Sequence, residues 1–89
     1  MASYLVYRHG SNAANQSMTP VAAVAIVDAA TEKDARNLAA ECVNCYANQH
    51  LELVAGSDLT DSQIEDWNEV NSRDAELRAA GEPSIIHSA

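Results

Sequence analysis

Val21-Ala22-Ala23-Val24-Ala25-Ile26-Val27-Asp28-Ala29 is apolar at every position before Asp28, and it follows Pro20. Proline has no backbone N–H to give to a ladder, so it stands at the start of a strand and not inside a central one. A run of this length with apolar residues at both odd and even positions reads as a strand buried on both faces, and therefore as a central one. The rest of the chain is placed around it.

Upstream, Ser3-Tyr4-Leu5-Val6-Tyr7-Arg8 is rich in aromatic and aliphatic types and reads as a first strand. Alternation puts Tyr4, Val6 and Arg8 on one face and Leu5, Tyr7 and His9 on the other. Gly10 ends it, and the residues up to Thr19 have no apolar period of either kind. They read as a connection longer than the two to five residues of an ordinary hairpin loop, so the two strands pair antiparallel with a polar loop projecting from one end of the sheet.

Downstream, Thr31-Glu32-Lys33-Asp34 resembles a capping box with Asp where Glu is usual, and it opens a helix expected to run to about Ala47. Ala35, Leu38, Ala39, Cys42, Val43 and Tyr46 form its apolar stripe, and Arg36, Asn37, Glu41 and Asn44 face water. His50-Leu51-Glu52-Leu53-Val54-Ala55 is a third strand with Leu51 and Leu53 inward, and Gly56-Ser57-Asp58 is a turn. In Leu59-Thr60-Asp61-Ser62-Gln63-Ile64, Thr60 is the N-cap and Gln63 reaches back to it, while Leu59 and Ile64 form a staple. The helix that starts there ends at about Ala80, with Gly81 as its C-cap. Its stripe of Ile64, Trp67, Val70 and Leu77 is narrow and interrupted by Asn71 and Asp74, so it docks loosely or completes its burial on another chain.

The fold expected is α+β in the order β-β-α-β-α, a small, mainly antiparallel sheet of three strands with its two helices on one face. Residues 84–89 follow as a tail or as a fourth, edge strand. At 89 residues the chain is read as one domain, which buries only about two thirds of its unfolded surface. With no Phe and one Trp, its core is shallow, and oligomerisation would stabilise it.

The net charge of −8 excludes general attraction to nucleic acid or to an anionic membrane. The charge is segregated. Residues 1–27 hold no Asp or Glu, whereas residues 58–82 hold eight acids against Arg73 and Arg78. No run is apolar enough to span a membrane, and no signal-peptide pattern opens the chain, so a cytoplasmic location is expected. Cys42 and Cys45, late in a helix, are expected as packed, reduced thiols with neither a redox nor a metal role.

Three functional readings follow. In the first, residues 8–18, acid-free and dense in donors and acceptors, form a binding site: Arg8, His9, Asn12, Asn15 and Gln16 line it, and Asn48, Gln49 and His50 add a second wall. The expectation is a non-enzymatic homo-oligomer that sequesters a polar, phosphorylated or nucleotide-like small ligand between subunits, without cofactor or metal. In the second, the chain is an inhibitor or adaptor that docks on a protein target through its acidic second helix, by Glu65, Asp66 and Glu69.

The third rests on a resemblance. A strand followed by Arg8-His9-Gly10 and then Asn15 resembles the opening motif of the histidine phosphatase superfamily, which implies His9 as phosphoryl acceptor and Arg8 as phosphate clamp. The resemblance covers eight residues. Ser11 stands where that family has Glu or Gln, the family's domain is about twice this length, and neither His50 nor His87 sits in its second histidine motif.

Overall fold

A computed structural model describes residues 2–9, 22–42 and 50–87. The elements are β1 (Ala2–His9), β2 (Ala22–Ala29), α1 (Glu32–Cys42), β3 (His50–Ala55), a 3₁₀ turn (Gly56–Asp58), α2 (Asp61–Ala79) and β4 (Ile85–His87). The four strands form one mixed sheet in the order β3-β1-β2-β4, an α+β fold. β1 pairs antiparallel with both β2 and β3, and β4 adds parallel to β2. The C-terminal residues thus supply the fourth strand, on the edge.

The helices lie on opposite faces of the sheet, which corrects the expectation of one covered face. Ala35 and Ala39 of α1 pack with Val6, Val27, Leu51, Leu53 and Ile86, while Val70 and Trp67 of α2 pack with Leu5, Tyr7, Ile26, Val54 and Ile85. The physical reason was already present in β2: a strand apolar at both parities needs a cover on each side. Alternation is kept across a β-bulge. Val6 stands opposite Ala25 and Tyr7 opposite Ala23, leaving Val24 as the extra residue, and Val24 and Ala25 both join the α1 side.

The helix ends are made by local chemistry. Thr31 Oγ1 accepts the N–H of Asp34 at 3.1 Å. Thr60 and Gln63 complete a reciprocal capping box, at 3.3 Å to the Thr60 hydroxyl and 2.9 Å to the Gln63 carbonyl. α2 closes in a Schellman arrangement: Glu82 N–H bonds Leu77 O, Gly81 N–H bonds Arg78 O, and Gly81 takes a φ of 85°. The predicted end of α1 near residue 47 lies outside the described residues.

Within α2 only Val70 is fully buried, and Ile64 is 45% exposed. One buried valine contributes about 2 kcal/mol, too little to fix five turns of helix. Trp67 packs beside it, and polar contacts add to both: Tyr7 to Asp66, Arg73 to the Ala23 carbonyl, Asp74 to the start of β4, and the buried Ser84 hydroxyl to Val70 O. The break in the apolar stripe at Asp74 is thus an attachment point.

Candidate functional site

The register of β1 fixes which residues meet at the end of the sheet where the polar loop begins. Arg8 stands between Ala22 on β2 and Leu51 on β3, and His9 stands opposite His50. Forty-one residues apart in sequence, His9 and His50 become direct neighbours on adjacent strands. Arg8 shares the α1 side of the sheet with Tyr4, Val6 and Leu51, and is partly buried there. Of the residues expected at the site, Arg8, His9 and His50 thus occupy adjacent positions. Asn12, Asn15, Gln16, Asn48 and Gln49 lie outside the described residues, as do Gly10 and Cys45.

Arg36 belongs to the same end and was missed. It sits one position beyond buried Ala35 on α1, and its Nη1 donates to the Leu51 carbonyl at 2.5 Å. The helical stripe assigns it to water because its Cα lies off the apolar face. A long side chain at the border of that face lays its stem along the sheet while keeping its head polar, and this was the signal available. Two guanidinium groups therefore serve one row, Arg8 beside Leu51 on the strand and Arg36 on the Leu51 carbonyl.

Of the acids on the strands, Asp28 is set back from this row and Glu52 adjoins it. Asp28 pairs in register with Ser3, five positions from Arg8 along β1, or about 17 Å at the rise of an antiparallel strand. Glu52, opposite Tyr7 and exposed, is closer.

The acidic trio of α2 is divided. Asp66 accepts the Tyr7 hydroxyl at 2.6 Å and turns to the sheet, whereas Glu65 and Glu69 are exposed. Burial first, and then the bond to Asp66 with the neighbouring charges of Asp66 and Glu52, pushes the Tyr7 phenol well above the ordinary tyrosine range. It stays protonated and acts as a donor.

At the far end, one row of side chains crosses three strands. Asp28 accepts the Ser3 hydroxyl through Oδ1 and holds His87 Nδ1 at 2.7 Å through Oδ2. A serine nucleophile needs the imidazole against its hydroxyl; here the carboxylate stands between them, so the row ties strands together and does not activate Ser3. Beside it Ala2, Ser3, Ala55, Gly56, Ser57 and Trp67 line an open recess of about 370 Å³. Gly56 permits the close packing behind it, since a Cβ there would stand 3.3 Å from Ser3 O and 3.5 Å from the Trp67 ring.

Among the described residues no three His, Cys, Asp or Glu side chains gather closely enough to hold a metal, and no helix is long and apolar enough to cross a membrane. Compared with known proteins, the chain matches no family model, no curated protein and no solved structure. The residues themselves carry the functional argument.

Proposed function

We propose that this protein is a non-enzymatic binding protein that holds a small phosphate-bearing or nucleotide-like ligand, in a pocket between subunits, at the end of the sheet carrying Arg8, His9 and His50. The observation that supports this reading is the register that sets His9 against His50 and Arg8 against Leu51, with Arg36 donating into the same row. A guanidinium offers a planar fork of donors matched to phosphate or carboxylate oxygens. Two of them at one end of the sheet, Arg8 from the acid-free opening and Arg36 from α1, favour an anion there.

A docking role for the acidic helix draws less support, because Asp66 is committed to Tyr7. The phosphatase resemblance draws support only from the position of His9 at the end of β1.

Calorimetric titration with nucleoside mono-, di- and triphosphates and with sugar phosphates tests the reading. The expected result is saturable heat for at least one class, lost in Arg8→Ala. Absence of heat for every compound overturns it.

A further inference from the structure

The two edges of the sheet are finished differently. On β4 the N–H of Ile85 donates to Asp74 Oδ1 at 3.0 Å and its carbonyl accepts Arg78 Nη2 at 2.8 Å, while Asp74 and Arg78 pair with each other at 2.7 Å. An ion pair on α2 thus occupies both outward backbone groups of Ile85, as a neighbouring strand would, and blocks that edge at Ile85.

The direction of the backbone groups on β3 follows from the same ladder. Ile26 N donates to Ser84 O at 2.8 Å, so the backbone groups of Ile26 face β4, and Leu5, its partner on β1, turns its own toward β3. Alternation then points the backbone groups of Leu51, Leu53 and Ala55, opposite Arg8, Val6 and Tyr4, away from β1. The Arg36 bond to Leu51 O agrees with this. Among the described residues, nothing else meets the outward N–H and C=O of Leu53 or the N–H of Ala55.

We propose that β3 pairs antiparallel with β3 of a second copy of this chain, about a two-fold axis at Leu53, joining the two four-stranded sheets into one. The strand is complementary to itself in that register and in few others. Leu53 exchanges hydrogen bonds with Leu53 of the partner subunit, and Leu51 with Ala55 of the partner subunit. The apolar layer under α1 continues across the junction. Glu52 falls opposite Val54 of the partner subunit, whereas an axis at Glu52 would bring two carboxylates face to face, a destabilising arrangement. The Leu51 carbonyl has two lone pairs and accepts the new N–H beside Arg36. The same register sets His50 against Gly56 of the partner subunit, so the loop end of one copy adjoins the Trp67 recess of the other. That last step rests on the ligand reading above; the dimer does not.

Ala55→Pro is the test. Ala55 has φ −60°, the value a proline ring imposes, and its N–H faces away from β1, so the substitution leaves the intrachain ladder whole and removes one hydrogen bond per subunit from the junction. By light scattering the unaltered protein should weigh twice 9.5 kDa and Ala55→Pro 9.5 kDa at the same concentration, with equal circular dichroism. In the unaltered protein, exchange of the Leu53 amide should slow as concentration rises, a readout independent of any variant. A monomer at about 0.1 mM, where a dimer with a dissociation constant of about 1 μM is mostly assembled, overturns the dimer, as does an Ala55→Pro protein that folds and dimerises equally well. Ligand heat from a monomer overturns the dimer and the placement of the pocket between subunits but keeps a ligand at Arg8; a dimer that gives no heat overturns the ligand reading alone.

Discussion

Asp74 on α2 accepts the backbone N–H of Ile85 at 3.0 Å and, through the same Oδ1, both the N–H and the hydroxyl of Ser84. One carboxylate oxygen thereby sets the first residue of β4 beside β2. The Arg78 guanidinium first, then the bonds from Ile85 and Ser84, hold its carboxyl below the usual aspartate range, against the opposing effect of burial.

Asp74→Ala should therefore release β4 with α2 still helical. Amide exchange at Ser84 and Ile85 should quicken roughly tenfold or more, the loss of a charge-assisted bond, while Val70 in mid-helix stays protected. Asp74→Asn keeps one acceptor oxygen and should fall between. Because the folded carboxyl is depressed, its contribution is complete above the ordinary aspartate value and is lost as pH falls through the lowered one. Urea midpoints taken from neutral pH downward should drop over that interval, and by less in Asp74→Asn.

The Tyr7 phenol gives a contribution of opposite sign. Its folded value is raised, so the stability it confers is complete below the ordinary tyrosine value of about 10 and fades as pH climbs from there toward the raised one. In an absorbance titration of phenolate, Tyr7 should ionise last, in step with unfolding. Asp66→Asn should bring it down part of the way and no further, since burial is the larger cause. Tyr7→Phe should cost about 1 kcal/mol by denaturant melts, leaving Asp66 without its donor.

What the sequence disclosed and what it withheld divide along physical lines. Local signals were legible: the Thr60–Gln63 box, Gly81 at the end of α2 and the limits of β3 depend on a few adjacent residues each. Sidedness was not, because the helix stripes say that each helix covers something without saying which face. β2, apolar at both parities, holds the answer, since such a strand needs a cover on each face. Asp74 reads as a defect in the stripe because its partner, the backbone N–H of Ile85 on β4, lies 11 residues away, and Arg73 gives no local sign of its bond to the Ala23 carbonyl, 50 residues away. Of the candidate site, the types were legible but not the register: nothing local sets His9 against His50.

The capping box supplies a measurable share of the stability of α2. Thr60→Ala removes the acceptor for Gln63 N–H and should cost about 1 kcal/mol. Gln63→Ala should cost less, because the Thr60 N–H that it exposes can take water. At the other end, Gly81→Ala meets no atom within 4 Å, yet it should destabilise by about 1 kcal/mol because alanine resists a φ of 85°. A penalty at Gly81 near zero in urea melts would remove the left-handed cap from the account.

Arg36 offers the sharpest test of where an anion binds. Its side chain holds a strand carbonyl from an exposed position, so Arg36→Ala should cost the free protein no more than about 1 kcal/mol. If the row at Arg8 and Leu51 receives a phosphate, the same substitution should weaken ligand binding at least tenfold, and Arg36→Lys should restore the charge without restoring the affinity, since an ammonium cannot reproduce the two-pronged fork. A ligand present at about 100 times its dissociation constant stabilises by about 2.7 kcal/mol, so thermal midpoints with and without ligand compare all three proteins on one scale. Equal ligand-induced shifts in the unaltered protein and in Arg36→Ala would move the site off this row.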